Sequence, residues 1–253
     1  MNAFASLLNH PSLWRGNELS RVASASVPTG FSALDAELPG GGWPLGTLTE
    51  VLHDGVGLGE VRFLGGALAA AARSGRLIAW TNPPYLPYAP ALAQAGIPLE
   101  RCVVIEPAHR EDALWSAEQA LRSGACGALL LWLANALPGA SRARSADYAW
   151  LRRLQLAAQA GGAMAVLFRS TAEEGVSTPA HLRVVLAGRG DALELRIPKR
   201  RGPPLAAPIR LDPDRVLDRV IDPSFAKTPA TRSRPASVPA LVEPARPLPR
   251  IAA

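Results

Sequence analysis

The chemistry this sequence most invites is phosphate binding, yet the residue types that chemistry needs are replaced. A strand-like run, Thr47–Leu52, leads into a glycine-rich stretch, Asp54–Gly59. Val61–Arg73 follows, with apolar positions at helical spacing and a glycine stop at Gly75. Strand, glycine-rich turn and helix is the setting in which backbone N–H groups and the positive end of a helix cradle phosphates. A working loop has glycine, four residues, glycine, lysine and then a hydroxyl residue; the lysine meets the β- and γ-phosphates and the hydroxyl holds magnesium. Here the window reads His53-Asp54-Gly55-Val56-Gly57-Leu58-Gly59-Glu60, so Gly59 stands at the lysine position and Glu60 at the hydroxyl position. No change of register repairs the loop, because residues 1–198 contain no lysine and the chain has only Lys199 and Lys227. A carboxylate at the helix start also takes the favourable electrostatic position for itself and repels a triphosphate.

The second chemical position fails in the same way. In nucleotide-hydrolysing α/β folds an acid at the end of the central apolar strand helps to hold the metal. The fully apolar run Gly127–Leu133 reads as that strand, and Trp132 occupies the acid's place, where an indole suits packing or an interface. His10, His53, His109 and His181 show no ligand spacing, and Cys102 and Cys126 sit beside apolar runs as buried free thiols. The expectation is a chain without catalytic residues, metal or cofactor.

The elements that would position these residues alternate along the chain. Strands are expected at Leu77–Trp80, Cys102–Ile105, Gly127–Leu133 and Ala163–Phe168. Between them lie helices at Tyr88–Ala95, Glu111–Ser123 and Tyr148–Ala160, the last with Asp147 as its N-cap. A short apolar helix around Leu34 lies between turn signals in Val27–Pro44. Strands and helices in alternation predict an α/β fold with a doubly wound, mostly parallel sheet. Leu182–Ala187 and Ala192–Ile197 flank Gly188-Arg189-Gly190 and predict a C-terminal antiparallel hairpin, with a basic turn and one last strand in residues 199–211. Three regions follow: an N-terminal helical arm over 1–25 around Trp14, a core over 26–221, and a proline-rich basic tail over 222–253 expected to be disordered.

Composition narrows the classes of function. A hydrophobic fraction of 48% with 19% charged residues suits a soluble globular chain. The longest apolar runs fall short of the ~20 residues a membrane helix needs. The first thirty residues lack the pattern of a secretory signal, so a cytoplasmic protein is expected. Charge is uneven: residues 1–198 balance sixteen arginines against sixteen acids, whereas residues 199–253 hold eleven Lys and Arg against five acids. A basic C-terminal end points to an acidic partner, either nucleic acid or protein.

Over Val27–Asp212 the chain resembles the RecA recombinase family. The resemblance runs through Pro28-Thr29-Gly30, Leu34-Asp35, Gly41-Gly42, Leu45, Gly46 and Glu50. It continues through Leu129–Leu137 and ends near Leu195–Pro208, with Lys199-Arg200-Arg201. Within that group, Trp14-Arg15-Gly16 and the run from Leu34-Asp35-Ala36 to Gly42-Trp43-Pro44 are similar to the ImuA family of RecA/SulA-like mutagenesis proteins. The first resemblance implies a RecA-like fold with a general-base position near Pro84, within Asn82-Pro83-Pro84-Tyr85. The second implies a non-catalytic accessory protein of DNA-damage-induced, SOS-linked, error-prone translesion synthesis, a DNA-repair and mutagenesis role. Its implied partners are an ImuB-like Y-family polymerase homologue, RecA and a second DnaE-type polymerase, with weak DNA contact secondary.

RecA's DNA-contacting loops match Pro138–Ala146, with Arg142 and Arg144, and Ser170–Pro179, with Glu173-Glu174. Arg142, Arg144, Arg152, Arg153 and Lys199, Arg200, Arg201 are candidate contacts to DNA or a partner, with solvated surface arginines as the bland alternative. Trp14 and Arg15 are further candidates, for a neighbouring subunit or for ImuB, with an intramolecular cover for the sheet edge as the equal alternative. Two rival functions remain open: a SulA-like inhibitor of cell division that binds FtsZ, and a residual ATPase served in trans, for which Lys199 is the candidate lysine.

Overall fold

The computed structural model describes residues 25–55, 59–133, 144–189, 192–203, 205 and 207–212. Trp14, Arg15, Gly57, Arg142, the N-terminal arm and the tail from 222 lie outside them, as do the side chains of Arg144 and Arg189. A short antiparallel pair, β1 (Ser26–Val27) and β2 (Trp43–Pro44), precedes the main sheet and encloses α1 (Ser32–Asp35). The sheet strands are β3 (Thr47–Leu52), β4 (Leu77–Thr81), β5 (Cys102–Ile105), β6 (Cys126–Trp132), β7 (Met164–Arg169), β8 (Leu182–Arg189), β9 (Ala192–Lys199) and β10 (Ile209–Leu211). The helices between them are α2 (Glu60–Arg73), α3 (Ala89–Gln94), α4 (Arg110–Arg122) and α5 (Arg144–Gly161).

The eight strands lie in the order β10-β9-β8-β3-β7-β6-β4-β5. From β8 to β5 every neighbouring pair is parallel, and β9 and β10 close the other side antiparallel. This is the α/β architecture expected from the alternation of elements: a mostly parallel sheet with a C-terminal antiparallel hairpin, consistent with a RecA-like fold. Strands β3, β6 and β7 are buried along their whole length, as strands covered on both faces must be. One face packs Phe63, Leu64 and Leu68 of α2 against Val51, Ile78, Leu130 and Val166. The other packs Leu114 and Leu121 of α4 and Leu151 and Leu154 of α5 against Leu48, Leu129 and Leu167. No helix among the described residues is long and apolar enough to cross a membrane.

Local boundaries differ from expectation where tertiary contacts intervene. Helix α5 starts at Arg144, so Asp147 lies in its first turn instead of capping it. There its carboxylate pairs with Arg110 at 2.9 Å and Arg169 at 3.8 Å, which favours an acid near the positive helix end. Strands β8 and β9 run two residues longer than their apolar patterns, because paired strands continue their ladder past the buried segment. Cys126 is a buried free thiol, but Cys102, on the outermost strand β5, is only half-buried. Burial pushes both thiols up from their usual range.

Charges inside the apolar sheet are paired. Glu50, in the middle of β3, has no solvent exposure. Its carboxylate accepts from Arg169 Nη1 at 3.1 Å and Arg183 Nε at 2.7 Å, with Arg183 Nη2 also 2.6 Å away. Arg169 continues to Glu173 at 3.0 Å, and Arg183 Nη1 donates to the carbonyls of Glu174 and Val176. Strands β7 and β8 flank β3, so one acid ties the three central strands together. A second buried acid, Glu118 of α4, meets Arg122 at 3.1 Å and Arg153 of α5 at 2.5 Å. Gln155 Oε1 of α5 accepts the Leu48 N–H at 2.8 Å at the start of β3.

Glu50→Ala leaves two guanidinium groups facing an apolar sheet without their shared anion. It is expected to cost about 3–5 kcal/mol, read as a lower urea midpoint, whereas Arg196→Ala, at an exposed position of β9, is expected to cost under about 1 kcal/mol.

Candidate functional site

The parallel strands β3, β7, β6 and β4 end together, and this edge holds the glycine-rich loop. His53 follows β3 and its N–H donates to Arg169 O at 3.0 Å, continuing the ladder with β7. Asp54 binds the residues that follow β7: it accepts from Ser170 Oγ at 2.8 Å, the Thr171 N–H at 3.1 Å and the Thr171 hydroxyl. These bonds, the Thr171 hydroxyl first, hold its carboxyl below the usual range. Gly55 and Gly59 have φ of 82° and 85°, the left-handed region that favours glycine. Gly59 is the N-cap of α2, and Glu60 opens the helix with its side chain buried. Its Oε2 finds no hydrogen-bond partner among the described residues, nor does either ring nitrogen of His53.

Across the same edge runs a row of rings. Trp80 of β4 stacks on Trp132 of β6 with centroids 6.1 Å apart and planes 11° apart. Trp132 stacks on Phe168 of β7 at 4.5 Å and 16°, and Phe168 meets His53 edge-on at 5.7 Å. Trp80, Trp132 and Phe168 are all buried, on the sheet face that carries α2. Each aromatic pair contributes about 0.5–1.5 kcal/mol beyond its buried area. Asn82, at φ 53°, closes the end of β4 and donates from Nδ2 to the Trp132 carbonyl at 2.8 Å. It is the residue two before Pro84.

A magnesium nucleotide does not fit this donor set. The helix start offers a carboxylate, and the metal-acid position holds an indole locked between two other rings. The left-handed Gly59 gives a lysine there a strained backbone, worth roughly 1–2 kcal/mol. Among the described residues, no group of three or more His, Cys, Asp or Glu is placed to hold a metal.

The basic residues proposed as contacts separate into three roles. Arg153 binds Glu118 and lies 4.0 Å over the Trp150 ring, so it joins α4 to α5. Arg200 is inward-facing: its Nη1 pairs with Glu37 Oε2 at 2.8 Å and donates to the Glu37 carbonyl, while Nε donates to Pro203 O at 2.7 Å. That contradicts its assignment to a surface patch; it braces the α1 turn against the segment after β9. Glu173 and Glu174 are likewise engaged, Glu174 with Arg196 through two bonds of 2.8 and 2.9 Å. Arg152, Lys199 and Arg201 do gather, at the opposite edge of the sheet from the loop, around His181. Burial first, then the charges of Arg201, Lys199 and Arg152, push the His181 imidazole below its usual range. Lys199 Nζ donates to Thr178 O at 2.7 Å; burial and the nearby Arg183 lower its basicity.

Sequence reasoning missed the ring row and the Glu50 network, although a signal for each was present. Trp80, Trp132 and Phe168 each stand at or next to the end of an apolar strand. Glu50, Arg169 and Arg183 are charges set within or ending apolar runs.

Comparisons with known proteins bear on part of the chain. Over 111 residues it is 32% identical to the RecA protein of Symbiobacterium thermophilum, a stretch covering 44% of this chain and 31% of that protein. Over 123 residues it is 34% identical to the RecA protein of Salinispora tropica, covering 47% of this chain and 34% of that one. The chain therefore spans about a third of the length of the curated relatives it matches. No family model matches. This homology supports a place in the RecA-like superfamily.

The geometry predicts that restoring the loop letters does not restore a nucleotide site. Gly59→Lys combined with Glu60→Thr is expected to leave binding of a fluorescent ATP analogue undetectable at micromolar concentrations, because the ring row persists. Saturable, magnesium-dependent binding by that variant would mean the loop alone decides.

Proposed function

We propose that this chain is a RecA-like scaffold without ATPase chemistry, acting as an accessory adaptor of DNA-damage-induced, error-prone translesion synthesis. On this reading it binds an ImuB-like Y-family polymerase homologue and RecA-type partners, and any contact with DNA is secondary. The observation that carries the non-catalytic part is Trp132 stacked between Trp80 and Phe168 at the strand end where a metal-holding acid would stand. Buried Glu60 at the start of α2 supports the same conclusion from the other side of the site. A site closed by packing keeps the fold but not the chemistry, so the selected property is the surface. The translesion assignment itself rests on the ImuA-like runs around Trp14 and from Leu34 to Pro44. The run from Leu34 to Pro44 forms α1, its turn and β2, which pack against α2 through Leu34, Leu38 and Trp43.

The test is capture of purified ImuB, RecA and FtsZ by the full-length chain, with and without ATP. Capture of ImuB or RecA that is indifferent to nucleotide is the expected result. Capture of FtsZ alone would move the chain to the division inhibitors, and a strict ATP requirement would overturn the non-catalytic reading.

A further inference from the structure

We propose that, independently of any adaptor role, the chain pairs with a second copy of itself through the outer edge of β5, the two β5 strands running antiparallel about a two-fold axis at Val104.

Strand β5 is the last of the sheet, and among the described residues no element pairs with its outer side. The Asn82 N–H donates to Ile105 O at 2.9 Å, so the backbone of Ile105 faces β4. Backbone groups alternate in side along a strand, which turns the N–H and C=O of Cys102 and Val104 outward. Such an edge is a template for another strand, and proteins blunt it with proline, charge or a bulge. At the far end of the sheet β10 is blunted: it is three residues long, has Arg210 at its centre and follows Pro208. By contrast, β5 reads Cys-Val-Val-Ile, without proline or charge, and pairs with β4 without a bulge. Val103 and Val104, 40% and 37% exposed, place β-branched side chains on both faces of this open strand.

The flank of the edge suits a second copy. Six of the nine exposed large apolar side chains among the described residues lie between Tyr85 and Val104, in the stretch from β4 to β5 and in β5 itself. Thr81 to Leu99 holds no charged residue. Across a two-fold axis a patch meets itself, so a charged patch repels its copy, whereas an uncharged apolar one does not. A phosphate backbone finds no cation in that stretch.

Charge also selects the register. A two-fold axis across an antiparallel pair passes between one residue and the same residue of the other copy. With Val103 there, Glu100 and Glu106 of the two copies stand opposite each other, and like charges so placed destabilise. With Val104 there, the outward valines exchange both N–H···O bonds, Cys102 faces Glu106 and Val103 faces Ile105. No like charges are opposed in this second register.

The experiment is sedimentation velocity of the full-length protein, with amide exchange followed by NMR. Wild type is expected to pass from monomer to dimer with a midpoint of about 1–100 µM. Its Val104 amide is expected to gain protection from exchange over the same range. Val104→Pro removes an N–H that faces away from β4, so no bond within the chain is lost. Val104→Lys sets two ammonium groups against each other at the axis. Each is expected to weaken the dimer at least about tenfold, with the thermal midpoint unchanged where wild type is monomeric. Should one variant lower that midpoint, the other carries the comparison. A monomer at about 100 µM, a dimer within about twofold of wild type in both variants, or a dimer whose Val104 amide gains no protection would overturn the proposal.

Discussion

Glu50 lies at the centre of the sheet without access to water, and the surrounding structure is arranged around that fact. A lone carboxylate in such a place would be strongly destabilising, so β7 and β8, the strands on either side, each contribute an arginine. Those arginines are then engaged in turn. Arg169 reaches Glu173 and Asp147, and Arg183 reaches the backbone of the Glu174–Val176 turn. The network therefore joins β3, β7 and β8 to the start of α5 and to the loop after β7. Removal of Glu50 leaves the buried Arg169 and Arg183 guanidinium groups where water cannot solvate them.

The same strands decide what each edge of the sheet can do. At the ends of β4, β6 and β7, Trp80, Trp132 and Phe168 close the space with stacked rings, and Glu60 occupies the start of α2. At the other edge, the starts of β3 and β8 and the segment after β9 bring His181, Arg200 and Arg201 beside a small cavity walled by Leu38, Pro39 and Leu182. An edge that would handle phosphates in a nucleotide-binding relative is packed like a core. Similarity to RecA proteins over under half of the chain is compatible with this division. A shared sheet does not fix a shared function, which depends on the residues at its sites.

Much of the architecture was legible because its signals are local. Apolar runs of strand length, helical spacing in Val61–Arg73 and the glycine stop at Gly75 located the parallel core. Gly188-Arg189-Gly190 located the hairpin. That Gly59 and Glu60 close the glycine-rich stretch without a lysine or a hydroxyl was equally legible, since such a stretch is read letter by letter. The start of α5 was misplaced because Asp147 fits an N-cap in isolation, whereas its carboxylate is claimed by Arg110 and Arg169 from other elements. Lys199-Arg200-Arg201 read as one basic patch, yet Arg200 points inward to Glu37, 163 residues away in sequence.

The sequence by itself determined the α/β class, the order of elements and the absence of lysine from the glycine-rich stretch, because periodicity, turn chemistry and motif letters act over short stretches of chain. Only the tertiary structure decided that Trp132 joins a ring row, that Glu50 shares two arginines, and that Arg152, Lys199 and Arg201 converge on His181. Each of those outcomes depends on which strands become neighbours. In a parallel sheet whose order departs from the order of the chain, side chains more than a hundred residues apart meet through pairing and crossover, and no local pattern records it.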